Sequence, residues 1–113
     1  MIIRVSTRHQ HELMGALAGD QDELTFPGPI PSPDGTSARI DRVQILEAFE
    51  VPQELIFSVS VVGSVILGVV SNWLYEVLKR GDPDSIEINR RTVTLTKGEV
   101  TKIVEEEIRL HNR

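Results

Sequence analysis

Residues 55–75 read LIFSVSVVGSVILGVVSNWLY, without one charged side chain. A run of this length either crosses a bilayer, which takes about 20 predominantly apolar residues, or is buried in a core. A bilayer span has three features in its favour. Trp73 and Tyr75 sit at one end like an interfacial belt, and Lys79 and Arg80 follow as on a cytoplasmic side. Ser60, Ser64 and Gly68 recur four apart, the small-xxx-small spacing that lets helices approach closely. The periodicity favours a core. Phe57, Val59 and Val61 alternate with Ser58 and Ser60, the period of a strand. Gly63 breaks that alternation. From Val62 on, Val62, Val65, Ile66, Val69, Val70, Trp73, Leu74, Val77 and Leu78 recur at helical spacing, with Ser64, Gly68, Ser71, Asn72, Tyr75 and Lys79 on the opposite arc. The helical pattern also runs on past Glu76, beyond the uncharged segment. We therefore expect a strand over residues 55–62 and a helix over residues 62–78, with a single membrane span over residues 55–75 as the alternative.

The flanking segments supply the remaining elements. MIIRV is rich in β-branched residues and reads as a short strand. Thr7 and Gln10 have the spacing of a capping box, and Leu13, Met14, Leu17 and Ala18 follow at helical intervals before Gly19, which predicts a helix over residues 8–18. Pro27, Pro29, Pro31 and Pro33 then recur at every second position. Proline fixes φ and donates no amide, so helix and central strand are excluded, and a surface loop is expected over about residues 24–37. No two of these prolines are three apart, as a P-x-x-P docking ligand requires. Over residues 39–46, Val43 and Ile45 alternate like a strand, whereas Val43, Leu46 and Phe49 fit a helix; a strand is preferred, and Pro52 ends the segment.

In SIEINRRTVTL a turn at Arg90-Arg91 would pair Ile88 with Val93 and Ile86 with Leu95, all four on one face. Thr96 and Glu99 open a last helix with a second capping box. Its apolar stripe is Val100, Ile103, Val104 and Ile108, and Glu105, Glu106 and Glu107 read as a solvated run. The order strand, helix, strand, strand, helix, hairpin, helix resembles the ferredoxin-like βαββαβ order with an extra hairpin strand and a C-terminal helix. The expected architecture is a two-layer α+β fold, one domain over residues 1–113.

Composition narrows function. Cysteine is absent, which removes disulfides, thiolate metal sites and thiol nucleophiles and fits an intracellular protein. MIIRVSTRHQ lacks the pattern of a signal peptide, so a cytoplasmic location is expected. The net charge of −5 opposes nonspecific nucleic-acid binding, and one Trp, one Tyr and three Phe supply few stacking platforms. No nucleic-acid partner is expected.

Chemistry-bearing motifs are weak. GSVILG has phosphate-loop spacing, but Val69 and Val70 stand where Lys and Ser or Thr must reach phosphate and magnesium. His9, His11 and Glu12 fall in the first turn of the predicted helix, where residues two apart do not face each other. No G-x-S-x-G elbow occurs. No enzyme activity, cofactor or metal is expected. The partner-binding candidates are Arg90 and Arg91 at the hairpin tip, suited to carboxylate or phosphate, and Ser64, Gly68 and Trp73 on the long helix. The expected function is a small soluble protein-interaction module of an accessory, antitoxin-like or immunity-like kind. It would bind another protein, or itself as a homodimer, through a sheet edge or a helix face. Its acidity, with Asp20, Asp22 and Glu23 as one patch, would steer it toward a basic partner.

Overall fold

The computed structural model describes residues 1–21, 24–25, 27–44 and 51–111. Along the chain lie β1 (Ile2–Thr7), α1 (Gln10–Ala18), β2 (Gly28–Ile30), β3 (Thr36–Val43), β4 (Gln53–Val61), α2 (Leu67–Arg80), β5 (Ser85–Ile88), β6 (Arg91–Thr92) and α3 (Lys97–His111). The alternation in residues 55–61 becomes β4, and the strand order is β2-β3-β4-β1-β5-β6 with every neighbouring pair antiparallel. Alternation puts one parity of each strand inward. Ile88, Ile3, Phe57 and Ile40 stand abreast on four adjacent strands, each 0% exposed. Ile86, Val5, Leu55 and Val43 form the next row. The other parity is mostly polar, with Ile2 and Ile56 among it: Arg4 reaches Glu87 at 3.4 Å and Glu54 at 3.7 Å across the outer face.

The helices cover the inner face. Leu13, Ala16 and Leu17 of α1, Val70, Leu74, Val77 and Leu78 of α2, and the whole predicted stripe of α3 join one core with the sheet. α2 lies between α1 and α3. β4 and β5 both run antiparallel to β1, so they are parallel to each other, with β1 between them and α2 as the crossover.

The α+β class is as expected, but the ferredoxin-like order is not adopted. The chain between α1 and α2 contributes three strands instead of two, and β2, β3 and β4 form an antiparallel meander. The extra strand comes from the expected proline loop. Gly28 and Ile30 are buried and Pro29 is exposed, paired with Arg39. Proline is barred from central strands, yet β2 is an edge, where a missing amide is tolerated. The expected strand over residues 39–46 is β3, which begins earlier. Its bulge between Ile40 and Arg42 places Ile40 and Val43, three apart, on the same face. Ile45, Leu46 and Phe49 lie outside the described residues.

Three further boundaries differ. The box at Thr7 and Gln10 does not form. Thr7 instead ends β1, fully buried, where its hydroxyl donates to the Gly81 carbonyl at 2.6 Å and accepts from the His9 amide at 2.8 Å. The Gln10 side chain donates to the Gln44 carbonyl, and α1 begins at Gln10. The long helix begins at Leu67, and Ser71, expected on its polar arc, is buried and donates to the Leu67 carbonyl at 2.8 Å. Residues 55–75 are thus divided between β4, a connection and α2. No described helix is long and apolar enough to cross a membrane.

The hairpin turns one residue early. Ile88 pairs with Arg91 and Glu87 with Thr92 around Asn89-Arg90. The register moves by two, so Ile86, Ile88 and Val93 stay buried on one side. Asn89 has φ 48 and Arg90 φ 69, the positive values that a type I′ turn requires. Asparagine tolerates this; arginine is strained by it. Arg90→Gly is therefore expected to raise unfolding stability by about 0.5–1 kcal/mol in urea titration. A loss on that substitution would show that the Arg90 side chain contributes more than its backbone costs.

Candidate functional site

The structure separates the five candidate residues into two places. At the hairpin, Arg91 is held by α3: its Nη1 lies 2.7 Å from Glu106 Oε2 and 3.6 Å from Glu107 Oε1. Glu107 also accepts from the Asn89 side-chain amide at 2.6 Å, and Asn89 Oδ1 accepts from the Ile2 amide at 2.7 Å. The glutamate run is therefore not simply solvated; two of its members tie α3 to the hairpin. Arg90 is exposed at the tip, beside Ile2, Arg4 and Glu87.

The hydrogen bond from Arg91, reinforced by its charge and by that of Lys102, holds the Glu106 carboxyl below its ordinary range. A depressed carboxylate stabilises the fold above its unfolded pKa, and that contribution is lost as pH falls through the folded value. Arg91→Ala should return the Glu106 titration, followed by NMR, to the ordinary carboxylate range. An unchanged titration would mean that the pair does not persist in solution.

Ser64, Gly68 and Trp73 come together elsewhere, along the outer side of α2. The buried side of α2 is Val70, Ser71, Leu74, Val77 and Leu78. That leaves the row Val69, Trp73, Glu76 and Arg80 facing an open groove of about 690 Å³. One wall is the end of α1, with Ala16 and Gly19; the other is the β2–β3 connection, with Ser32 and Pro33. Gly68 opens its floor, because a Cβ there would meet no atom within 4 Å. A second hollow of about 380 Å³ shares Ser32, Pro33 and Val69 and adds Asp34, Ser64 and Ile66. The two are continuous along α2.

The groove is apolar and uncovered. Ile66 is 73% exposed and Val69 50%; Val62, outside the groove's lining, is 71% exposed. These three were expected in the core. Their helical spacing is real, but a helix apolar over so wide an arc does not announce which part of it the sheet will take.

Gly35 fixes the upper end of the groove. It sits at φ 84 in the turn closed by the Thr36 amide donating to the Pro33 carbonyl, a position that favours glycine. Its carbonyl accepts from the amides of Val62 and Gly63 at 2.9 and 3.1 Å. A Cβ at Gly35 would collide with the Ser64 carbonyl. The β2–β3 turn therefore holds residues 62–66, and with them Ile66, in place. The Pro33-Asp34-Gly35 turn signal was present in the sequence, but embedded in a proline series.

Chemically the groove offers apolar contact with a charged rim of Asp34, Glu76 and Arg80. His9, weighed above for metal binding, instead lies 3.5 Å from Asp82. Among the described residues no three His, Cys, Asp or Glu side chains cluster as metal ligands. The sequence matches no protein-family model, no curated protein and no solved structure. The groove is read from its geometry alone.

Proposed function

We propose that the chain is a small non-enzymatic interaction module that binds another protein through the groove over α2. The observation that carries this is the apolar row Ile66, Val69 and Trp73 beside the open Gly68, with Ile66 and Val69 exposed and the Trp73 indole half-buried. Contiguous exposed apolar surface on a small soluble domain marks an interaction site more often than scattered residues do. Sheet edges are less suited. β2 carries Pro29 on its edge, with Pro27 and Pro31 beside it, and β6 is two residues long. An accessory role in the cytoplasm, of the antitoxin-like or immunity-like class, is part of the proposal.

Photo-crosslinking tests it. A crosslinking residue placed at Val69 should give a discrete adduct with a partner protein in cells, and the adduct should be lost when Trp73→Ala is added. The same residue at Asp41, on the opposite sheet face, should give none. Equal adducts from both positions would overturn the assignment of the groove as the docking surface.

A further inference from the structure

We infer that the occupant of this groove is an amphipathic helix of a partner protein whose apolar row is flanked by Lys or Arg. This rests on the groove being the docking surface. Three observations favour it.

The first is length. Ile66, Val69 and Trp73 span two helical turns, about 10 Å at 1.5 Å per residue, which matches the i, i+3 or i+4, i+7 anchors of a helix laid in a groove. Gly68, with open space above it, lets a second backbone come close. The second is the sheet: its proline-bearing edge and its two-residue edge disfavour an added strand.

The third is charge. Asp34 stands at the end of the groove near the start of α2, Glu76 along its length and Arg80 at the far end. Among the described residues, Asp34 and Glu76 carry no ion pair. The chain's net charge of −5 adds attraction for a cationic segment at a distance. A second copy of this chain would bring two carboxylates and one arginine to the interface together with the same net charge of −5, so it is a poorer match than a cationic segment. The order of rim charges also orients the occupant, with its basic residues toward Asp34 and Glu76 and away from Arg80.

The chain's single Trp lies in the groove and reports directly on its occupation. Two synthetic helical peptides serve as probes. They share one row of leucines at i, i+3, i+4 and i+7 and carry either Lys or Glu on the flanks. The Lys peptide should shift Trp73 emission to shorter wavelength and bind about tenfold or more tighter than the Glu peptide, a difference that like-charge juxtaposition readily produces. Asp34→Lys and Glu76→Lys should erase or invert that preference. Val69→Asp, at an exposed position that leaves the melting temperature unchanged, should abolish both signals.

Equal binding of the two peptides would overturn the basic flank and leave an apolar docking groove. An unresponsive Trp73 with both peptides, while crosslinking at position 69 still captures a partner, would overturn a helical occupant. A concentration-dependent shift of the protein alone, with a dimer mass in sedimentation, would show that a second copy fills the groove. Adducts at both 69 and 41 in the crosslinking experiment would instead remove the docking surface itself.

Discussion

Phe57→Ala is expected to lower the unfolding free energy by about 3–5 kcal/mol. Phe57 is among the largest fully buried side chains, at 0% exposure on β4. Ile40 stands on one side of it and Ile3 on the other, in direct register. Both neighbours are fixed by backbone pairing with β4, so they cannot close over the space that the ring would leave. The cost is therefore the lost transfer energy plus most of a cavity. A small domain has about 5–15 kcal/mol in total, so the variant would sit near the edge of folding. Urea unfolding followed by circular dichroism measures the loss. A change below about 1 kcal/mol would mean that the row Ile88, Ile3, Phe57, Ile40 repacks, contrary to its geometry.

Gly35→Ala comes second, with an expected loss of about 2–4 kcal/mol. Part is the cost of a side chain at φ 84. The larger part is steric: the new Cβ must displace the Ser64 carbonyl, which is backbone and belongs to the connection held by the Gly35 carbonyl. The substitution should therefore act at a distance, moving Ile66 and altering Trp73 emission as well as stability. Gly68→Ala is the control. Nothing lies within 4 Å of its Cβ, so it should be neutral or gain up to about 1 kcal/mol through helix propensity. If the two substitutions cost the same, the turn does not brace the connection.

Legibility in the sequence followed the regularity of the local period. β4 and α3 were readable because each has one solvated side: the alternating strand and the stripe Val100, Ile103, Val104, Ile108 land where their spacing points. β2 was not, because the rule that excludes proline from central strands does not distinguish an edge strand from a loop. α2 was half legible. Its apolar arc exceeds what the core takes, and only the packing of α1 and α3 on either side decides that Ser71 is buried while Val69 faces out. The hairpin shows a finer limit. With no glycine at the turn, the sequence did not separate Asn89-Arg90 from Arg90-Arg91, and that one step decides which arginine meets Glu106 and which stands at the tip. Of the residues that line the groove and its extension, Ser64, Gly68 and Trp73 were candidates from the sequence, through small-residue spacing and the wide apolar coverage of the long helix. Val69, Ile66, Gly35 and the carboxylates of the rim were missed, since they become neighbours only through the meander.

The position of β1 has a consequence for how the chain assembles. The first of the six strands in chain order occupies an interior place in the sheet, and its pairs are remote: Ile3 meets Phe57 on one side and Ile88 on the other. Such separations raise the contact order and slow folding relative to a chain built from local hairpins. The meander β2-β3-β4 can form from neighbouring segments, but β1 keeps one bare edge until β5 has been synthesised. During translation that edge, carrying Ile3 and Val5, is a strand template open to the wrong partner. Completion of the sheet thus waits on the segment that follows α2.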